Sequence, residues 1–192
     1  MAKGKLKAVD KVIEDLKEAK PILIKDASIS DGFCNYSYEI VSGIGLGDTV
    51  KRKGSSVVHD DLINAINALN VHLAITDDAF KYKGIEVNSI DEVAEHEVRQ
   101  NYHVTGIKIS GGAEDESVVL IGSKWVSYGS IGLETPKIKE TGVYPFKQEL
   151  FEALDLVREE VYEYMMGKTA PKFEQAEMTF EISDQQFSEA AV

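Results

Sequence analysis

The stretch VHDDLINAINALNVHL, residues 58–73, decides the fold. Its large apolar side chains recur at i, i+4, i+7 and i+11, which predicts an amphipathic helix with one buried face: Leu62, Ile66, Leu69 and Leu73. The same spacing returns in the second half of the chain at Leu150, Leu154, Val157 and Val161. The sequence therefore predicts two helices of one pattern, far apart along the chain.

The similarity between the two halves extends upstream of both helices. Gly54 and Gly142 stand at the same distance before the first leucine of each stripe, and Lys51 matches Lys139 in the same alignment. Short segments rich in β-branched and aromatic residues, separated by turn residues, precede each helix and predict strands, the last of them from Ile131 to Lys139. Residues 81–87 of the connector predict a short extended piece, and Pro145 predicts the first position of the second long helix. We interpret the chain as two copies of one βββα unit.

The predicted fold class is α+β, with antiparallel strands and one long helix in each unit packed on a sheet face. Five segments follow from the pattern. They are an N-terminal helix (1–20), a first βββα unit (21–77), a connector with a short helix (78–101), a second βββα unit (102–168) and a flexible acidic tail (169–192).

Composition limits the class of protein. The chain is 43% hydrophobic, which is enough for a buried core, and no apolar run reaches the roughly 18 residues of a membrane span. The N-terminus lacks the apolar region of a signal peptide, and one cysteine excludes an internal disulfide framework. We expect a cytoplasmic protein that does not enter membranes. The net charge of −12 argues against bulk attraction to duplex DNA.

No group of residues has the spacing of a catalytic or metal site. His59-Asp60-Asp61 is the densest cluster of possible ligands, but it matches no metal-binding pattern and fits the exposed start of a helix. Cys34 has no second cysteine near it and fits a small core residue on a strand. The glycines of residues 43–47 lead into a strand, unlike those of a phosphate-binding loop. We therefore expect no catalytic residues, no metal and no cofactor.

The distribution of basic residues is more informative. They fall on predicted strands and in the connector, often beside aromatic residues, whereas the first long helix has no lysine or arginine. Strand-borne aromatic and cationic side chains are typical of surfaces that stack and hold single-stranded nucleic acid. The candidate nucleic-acid-binding residues are Lys51, Arg52, Lys53, Lys81, Tyr82, Lys83, Lys124, Trp125, Lys137 and Lys139. The alternative is that the aromatic residues belong to the core and the lysines protect strand edges.

The C-terminal segment differs from the rest of the chain. From residue 169 onwards acidic residues dominate, and isolated apolar residues punctuate them. This pattern predicts a detachable tail that recruits a protein partner through its aromatic side chains. The candidate partner-binding residues are Phe173, Phe180 and Phe187.

Three sequence features carry a resemblance to known proteins. They are the strand phrase Asn35–Ile40 (NYSYEI), the Gly47-Asp48 turn and the helix start His59–Leu62 (HDDL). Together with the two helices they resemble a family of small phage- and prophage-encoded proteins of no known function, over roughly residues 20–175. The resemblance implies a bacterial cytoplasm and an accessory role. It transfers no catalytic residue.

The sequence therefore predicts a non-enzymatic binding protein, with several kinds of partner open. The first hypothesis is weak binding of single-stranded nucleic acid, with the tail recruiting a protein. The second is an acidic inhibitor that mimics nucleic acid and acts on a host protein. The third is a virion or assembly component that forms homo-oligomers, and a metal-dependent enzyme comes last. A strand binder needs converging basic residues, whereas a mimic needs carboxylates on one continuous face.

Overall fold

A computed structural model of the protein describes residues 22–41, 45–112 and 115–171. Seven strands form one antiparallel sheet. They are β1 (Ile22–Ser30), β2 (Phe33–Ile40), β3 (Thr49–Val57), β4 (Tyr102–Ser110), β5 (Ser117–Val126), β6 (Gly129–Glu134) and β7 (Ile138–Lys139). The predicted N-terminal helix of residues 1–20 lies outside the described residues, as does the tail beyond residue 171.

Six helices accompany the sheet within the described residues. They are α1 (Asp60–Ala68), α2 (Asn70–Thr76), α3 (Ala79–Tyr82), α4 (Ile90–Ala94), α5 (Glu97–Gln100) and α6 (Lys147–Met165). None of these helices combines the length and the apolar character that crossing a membrane requires. The predicted α+β class and antiparallel pairing are confirmed.

The strand order in the sheet is β3-β2-β1-β4-β5-β6, and β7 pairs with β5 beside β6. Each run of three consecutive strands is a meander of antiparallel neighbours. The two meanders meet where β1 pairs with β4, through Asp26 with Lys108, Ala27 with Ile107 and Ser28 with Gly106. The strands therefore form one continuous sheet, not a separate sheet for each half of the chain.

The core lies between one face of this sheet and the helices. Ala27, Ile107 and Leu120 lie side by side on that face and are fully buried. Both predicted stripes face them and are buried, namely Leu62, Ile66, Leu69 and Leu73 together with Leu150, Leu154, Val157 and Val161. The helical spacing therefore identified the core side chains in both halves of the chain.

The prediction of one long helix in the first half is wrong. The helix breaks at Leu69, whose N–H bonds to the carbonyl of Ile66, one residue closer than in an α-helix. Asn70 then begins α2, and its side-chain oxygen accepts a hydrogen bond of 2.7 Å from the N–H of Val104 on β4. This buried bond holds the start of α2 against the sheet, so a long helix exists only in the second half, as α6.

Three local predictions also need correction. Pro145 does not occupy the first position of α6, because Phe146 is its N-cap and Lys147 its first residue. The strand expected over residues 131–139 divides into β6 and β7 around Pro136, which has no N–H for a ladder. Lys81 and Tyr82, expected in an extended segment, belong to α3.

Replacing Leu69 with aspartate should unfold the protein. Leu69 is fully buried between the helices and the sheet, so Leu69→Asp places an unpaired charge in the core. We expect a loss of about 4 kcal/mol or more, read from urea unfolding. Ile63→Asp on α1 is the matched control, because Ile63 is 36% exposed, and it should cost about 1 kcal/mol or less. Equal losses for both variants would contradict this helix placement.

A buried histidine links stability to pH. His72 on α2 is 2% exposed, and its Nδ1 lies 2.9 Å from the hydroxyl of Tyr144. Burial lowers the pKa of His72 from 6.5 to about 4, and burial also raises the pKa of Tyr144. The folded protein therefore holds a neutral imidazole where the unfolded chain takes up a proton.

Acidification should consequently destabilise the fold through His72. Between pH 6.5 and about pH 4 the unfolded state binds more protons, so the free energy of unfolding falls as pH falls, by roughly 3 kcal/mol in all. His72→Gln should lower this pH slope, measured by urea titrations at several pH values. His103→Gln, at an exposed histidine, should leave it unchanged. Identical slopes for wild type and His72→Gln would refute the role of His72.

Candidate nucleic-acid interface

The ten candidate nucleic-acid-binding residues do not converge on one surface. They fall into three groups at different places on the fold. The first contains Lys81, Tyr82, Lys83, Lys124 and Trp125, the second contains Lys51, Arg52 and Lys53, and the third contains Lys137 and Lys139.

The first group surrounds a cavity at the end of β5. Tyr82, Lys83 and Lys124 line this cavity of about 450 Å³, and Tyr82 is 82% exposed at its rim. Lys81 precedes Tyr82 on α3. Trp125 follows Lys124 and therefore projects from the opposite face of the sheet, where it is 56% exposed. The fold thus brings together an aromatic ring and two cations that are about forty residues apart in sequence.

A polar cluster fixes Lys124 in this cavity. The carboxylate Oδ2 of Asp77 accepts hydrogen bonds from Lys124 Nζ at 2.8 Å and from the Tyr102 hydroxyl at 2.5 Å. The ammonium of Lys124 also lies 5.0 Å from the centre of the Tyr102 ring, within the range of a cation–π contact. The bond to Asp77 raises the pKa of Lys124. For Asp77, burial raises the pKa, but the bonds from Lys124 and Tyr102 outweigh burial and lower it.

A second cavity, of about 550 Å³, adjoins the first. The two share Gln100 and Tyr102, so they lie on either side of the C-terminal end of α5. Amides predominate in the second cavity, together with one guanidinium and one imidazole, from Asn64, Asn67, Asn70, Arg99 and His103. We call the two cavities together the α5 groove.

The α5 groove differs in charge from the protein as a whole. Its lining contains Lys83, Arg99 and Lys124 as cations and Glu97 as the one carboxylate, in a chain of net charge −12. Asp77, which lines neither cavity, neutralises the charge of Lys124. Among the described residues, Lys83 and Arg99 form no ion pair, so no carboxylate there neutralises their charges. Arg99 Nη1 donates to the carbonyl of Ala94 at 2.6 Å, which anchors the guanidinium without cancelling its charge.

Sequence reasoning missed the amide residues of this groove. Asn64, Asn67 and Asn70 stand three residues apart and form a polar stripe beside the apolar one, a signal that a helical projection reveals. Asn70 donates to the side-chain oxygen of Asn67 at 3.4 Å, and the amino group of Asn67 has no hydrogen-bond partner in the part of the chain that the structure describes. Arg99 and Gln100 carried no comparable signal, because only the tertiary fold brings α5 beside α1.

The second group lies on the edge strand β3. Arg52 pairs with Tyr36, whose ring contacts Tyr164 of α6, so Arg52 faces the helix side of the sheet. Lys51 and Lys53, its neighbours along the strand, therefore face the opposite side. Four strand spacings separate β3 from β5, about 19 Å, so this group does not belong to the α5 groove.

The third group lies at the far end of β5. Ile138 pairs with Val118, six residues from Lys124 along the strand, which corresponds to about 20 Å. Lys139 bonds to the carboxylate of Asp115 at 3.1 Å. Lys137 is exposed in the loop between β6 and β7. Neither lysine contributes to the α5 groove.

The sheet face opposite the helices carries a mixture of charges instead of a basic field. Lys25 pairs with Glu39 at 2.9 Å, and Lys108 pairs with Glu134 at 3.1 Å. Each pair joins residues on different strands of the sheet. Because these partners neutralise one another, the α5 groove is the more favourable place for an anionic strand.

His59 and Cys34, the possible ligand and nucleophile in the sequence, have structural positions in the fold. His59 Nδ1 accepts a hydrogen bond from the N–H of Asp61 and so caps α1. Cys34 is fully buried, and burial raises its pKa to about 12. Within the described ranges, no three His, Cys, Asp or Glu side chains are grouped closely enough to hold a metal ion.

The predicted tail begins beside the edge strand β3. Thr169 forms an isolated antiparallel bridge with Val58, and the N–H of Ala170 donates to the carbonyl of Val57 at 2.9 Å. The predicted partner-binding residues Phe173, Phe180 and Phe187 lie outside the described residues.

Comparison with protein-family models, with curated proteins and with solved structures finds no match to this chain.

Proposed function

We propose that the protein is a non-enzymatic binding protein that holds single-stranded nucleic acid weakly in the α5 groove. The observation that supports this proposal most directly is that Tyr82, Lys83 and Arg99 all line the α5 groove in a strongly acidic chain. An exposed aromatic ring stacks on any base, and neighbouring cations hold phosphates. The expected binding site therefore lies at the start of β4 and the end of β5, instead of on the open face of the sheet.

The two cavities offer different chemistry to such a ligand. The first provides the Tyr82 ring and the ammonium of Lys83. The second provides amides that donate and accept hydrogen bonds, together with the guanidinium of Arg99. Unstacked bases expose their polar edges only in single strands, so this combination favours single strands over duplex.

Tyr82→Ala should weaken binding to a fluorescent oligonucleotide about tenfold, because one stacked base contributes about 1–3 kcal/mol. Lys83→Ala should weaken binding and lower the slope of log affinity against log salt by about 1. Fluorescence anisotropy at several salt concentrations measures both effects. Quenching of Trp125, the one tryptophan of the chain, is a second readout of stacking.

Two control variants test the location of the site. Tyr162→Ala removes a tyrosine from α6, away from the groove, and Lys137→Ala removes a lysine from the third group. Both should bind like the wild type. If Lys137→Ala weakened oligonucleotide binding as much as Lys83→Ala, the binding site would not lie beside α5. If the wild type does not bind an oligonucleotide at low salt, the nucleic-acid proposal fails and an inhibitor or assembly role takes its place.

We also propose that the acidic tail recruits a protein partner and competes with nucleic acid for the basic residues. Truncation after Pro171 keeps the bridge between Thr169 and Val58 but removes five acidic residues and one lysine. Binding to a single strand should then tighten severalfold and remain salt-dependent, whereas binding to duplex should change less.

Unchanged affinity after truncation would contradict this competition. A pull-down from bacterial lysate with the full and truncated chains tests the partner separately. A protein that the full chain captures and the truncated chain does not is the expected result.

Two further proposals concern the origin of the chain. Helical stripes of one spacing and two three-stranded meanders support an internal duplication of a βββα unit. The resemblance to phage- and prophage-encoded proteins supports an accessory role in a bacterial cytoplasm.

The acidic inhibitor remains the second candidate function because of the net charge of −12. Inhibition of a nucleic-acid enzyme without oligonucleotide binding would favour it.

A further inference from the structure

The hairpin of β5 and β6 carries an exposed apolar surface, of which the proposed function involves only Trp125. Residues 125–133 contain no charged side chain, although 28% of the chain is charged. Four large apolar or aromatic side chains of this segment are exposed, namely Trp125, Val126, Tyr128 and Ile131. We call residues 125–133 the hairpin arm. Patches of this kind on a folded protein mark interaction surfaces.

The hairpin arm extends past the neighbouring strand. β4 begins at Tyr102 opposite Lys124, and the last contact from that side is the bond from the N–H of Trp125 to the carbonyl of Asn101. On its other side β6 is the last strand of the sheet, so among the described residues its outer backbone groups face no strand. Such an edge is a template for pairing with another strand.

The two edges of the sheet differ in how they are protected. At the β3 edge Lys51, Arg52 and Lys53 stand in succession, and a second copy placed there would bring these cations against themselves. At the β6 edge the sequence is Gly129-Ser130-Ile131-Gly132-Leu133, which brings no charges together. Small residues at Ser130 and Gly132 also permit close approach of a second backbone.

We propose that the β6 edge pairs antiparallel with the β6 edge of a second copy of this chain. A two-fold axis at Ile131 would place each Ile131 opposite its counterpart and Ser130 opposite Gly132, while Glu134 would fall opposite the uncharged Tyr128. Such an interface is isologous, as in most homodimers. It joins the two sheets and brings the two hairpin arms, including Val126 and Trp125, towards one another.

The charge of the chain explains why a neutral edge is the one that pairs. Two copies of net charge −12 repel, so an acidic interface would be unfavourable at low salt. An interface without charged side chains adds no repulsion of its own, and salt screens the rest. Self-association should therefore persist or strengthen as salt is raised, the opposite of nucleic-acid binding. This inference does not depend on the proposed function.

Sedimentation velocity of the full chain over a wide concentration range tests the proposal. We expect a dimer for the wild type and a monomer for Ile131→Lys, because the added ammonium groups would meet across the axis. Val143→Lys is the matched control, since Val143 is a fully exposed aliphatic residue outside the hairpin arm, and it should remain dimeric. Thermal melts confirm that both variants fold, as expected for exposed positions.

A cross-link provides the second measurement. Opposed residues of antiparallel strands have Cβ atoms about 4.5–5.5 Å apart, near enough for Ile131→Cys to form a disulfide across the axis on mild oxidation. The native Cys34 does not interfere, because it is fully buried. A covalent dimer from Ile131→Cys but not from Val143→Cys is the expected result. A monomeric wild type, or a dimer that Ile131→Lys leaves intact, would overturn the proposal.

Discussion

Pairing between β1 and β4 holds the two halves of the sheet together, and the rest of the structure depends on it. Only three residue pairs form this junction in the register of the sheet. Gly106 lies in it because a side chain there would meet the carbonyl of Ala27 and the Cβ of Ser28, both 2.8 Å from the position of a Cβ. The two strands therefore lie too close at this position to admit a side chain, which makes Gly106 intolerant of substitution.

Helix packing reinforces this short junction from one side. Leu62 and Ile66 of α1 belong to the first half of the chain, and Leu154 and Val157 of α6 belong to the second, yet all four are buried in one core. Separation of the halves would expose both stripes to water at once. The hydrophobic free energy of this contact therefore stabilises the strand junction, and neither half buries its apolar stripe alone.

The groove around α5 owes its shape to polar bonds between the helices and the first residues of β4. The side-chain oxygen of Asn70 accepts a hydrogen bond from the N–H of Val104. The carboxylate of Asp77 accepts hydrogen bonds from the Tyr102 hydroxyl and from Lys124. These bonds leave α3 and α5 beside the ends of β4 and β5 with space between them. Because Asp77 neutralises Lys124, the positive charge of the groove comes more from Lys83 and Arg99 than from Lys124. A ligand would meet Asn70, Tyr102 and Lys124 in positions that these bonds have already fixed.

The sequence by itself determined the fold class, the two apolar stripes and most of the strands, because periodicity along the chain reports which side chains face a core. It did not determine that the first helix would break at Leu69, where the next residue, Asn70, bonds to a strand residue 34 positions away. Nor did it separate the ten candidate residues into three groups. Their meeting or separation depends on strand order, and Lys83, Arg99 and Lys124 line one groove only when the helices and β5 are packed together. Local pattern fixes the direction of each side chain relative to its own element, whereas proximity between elements is decided by tertiary packing alone.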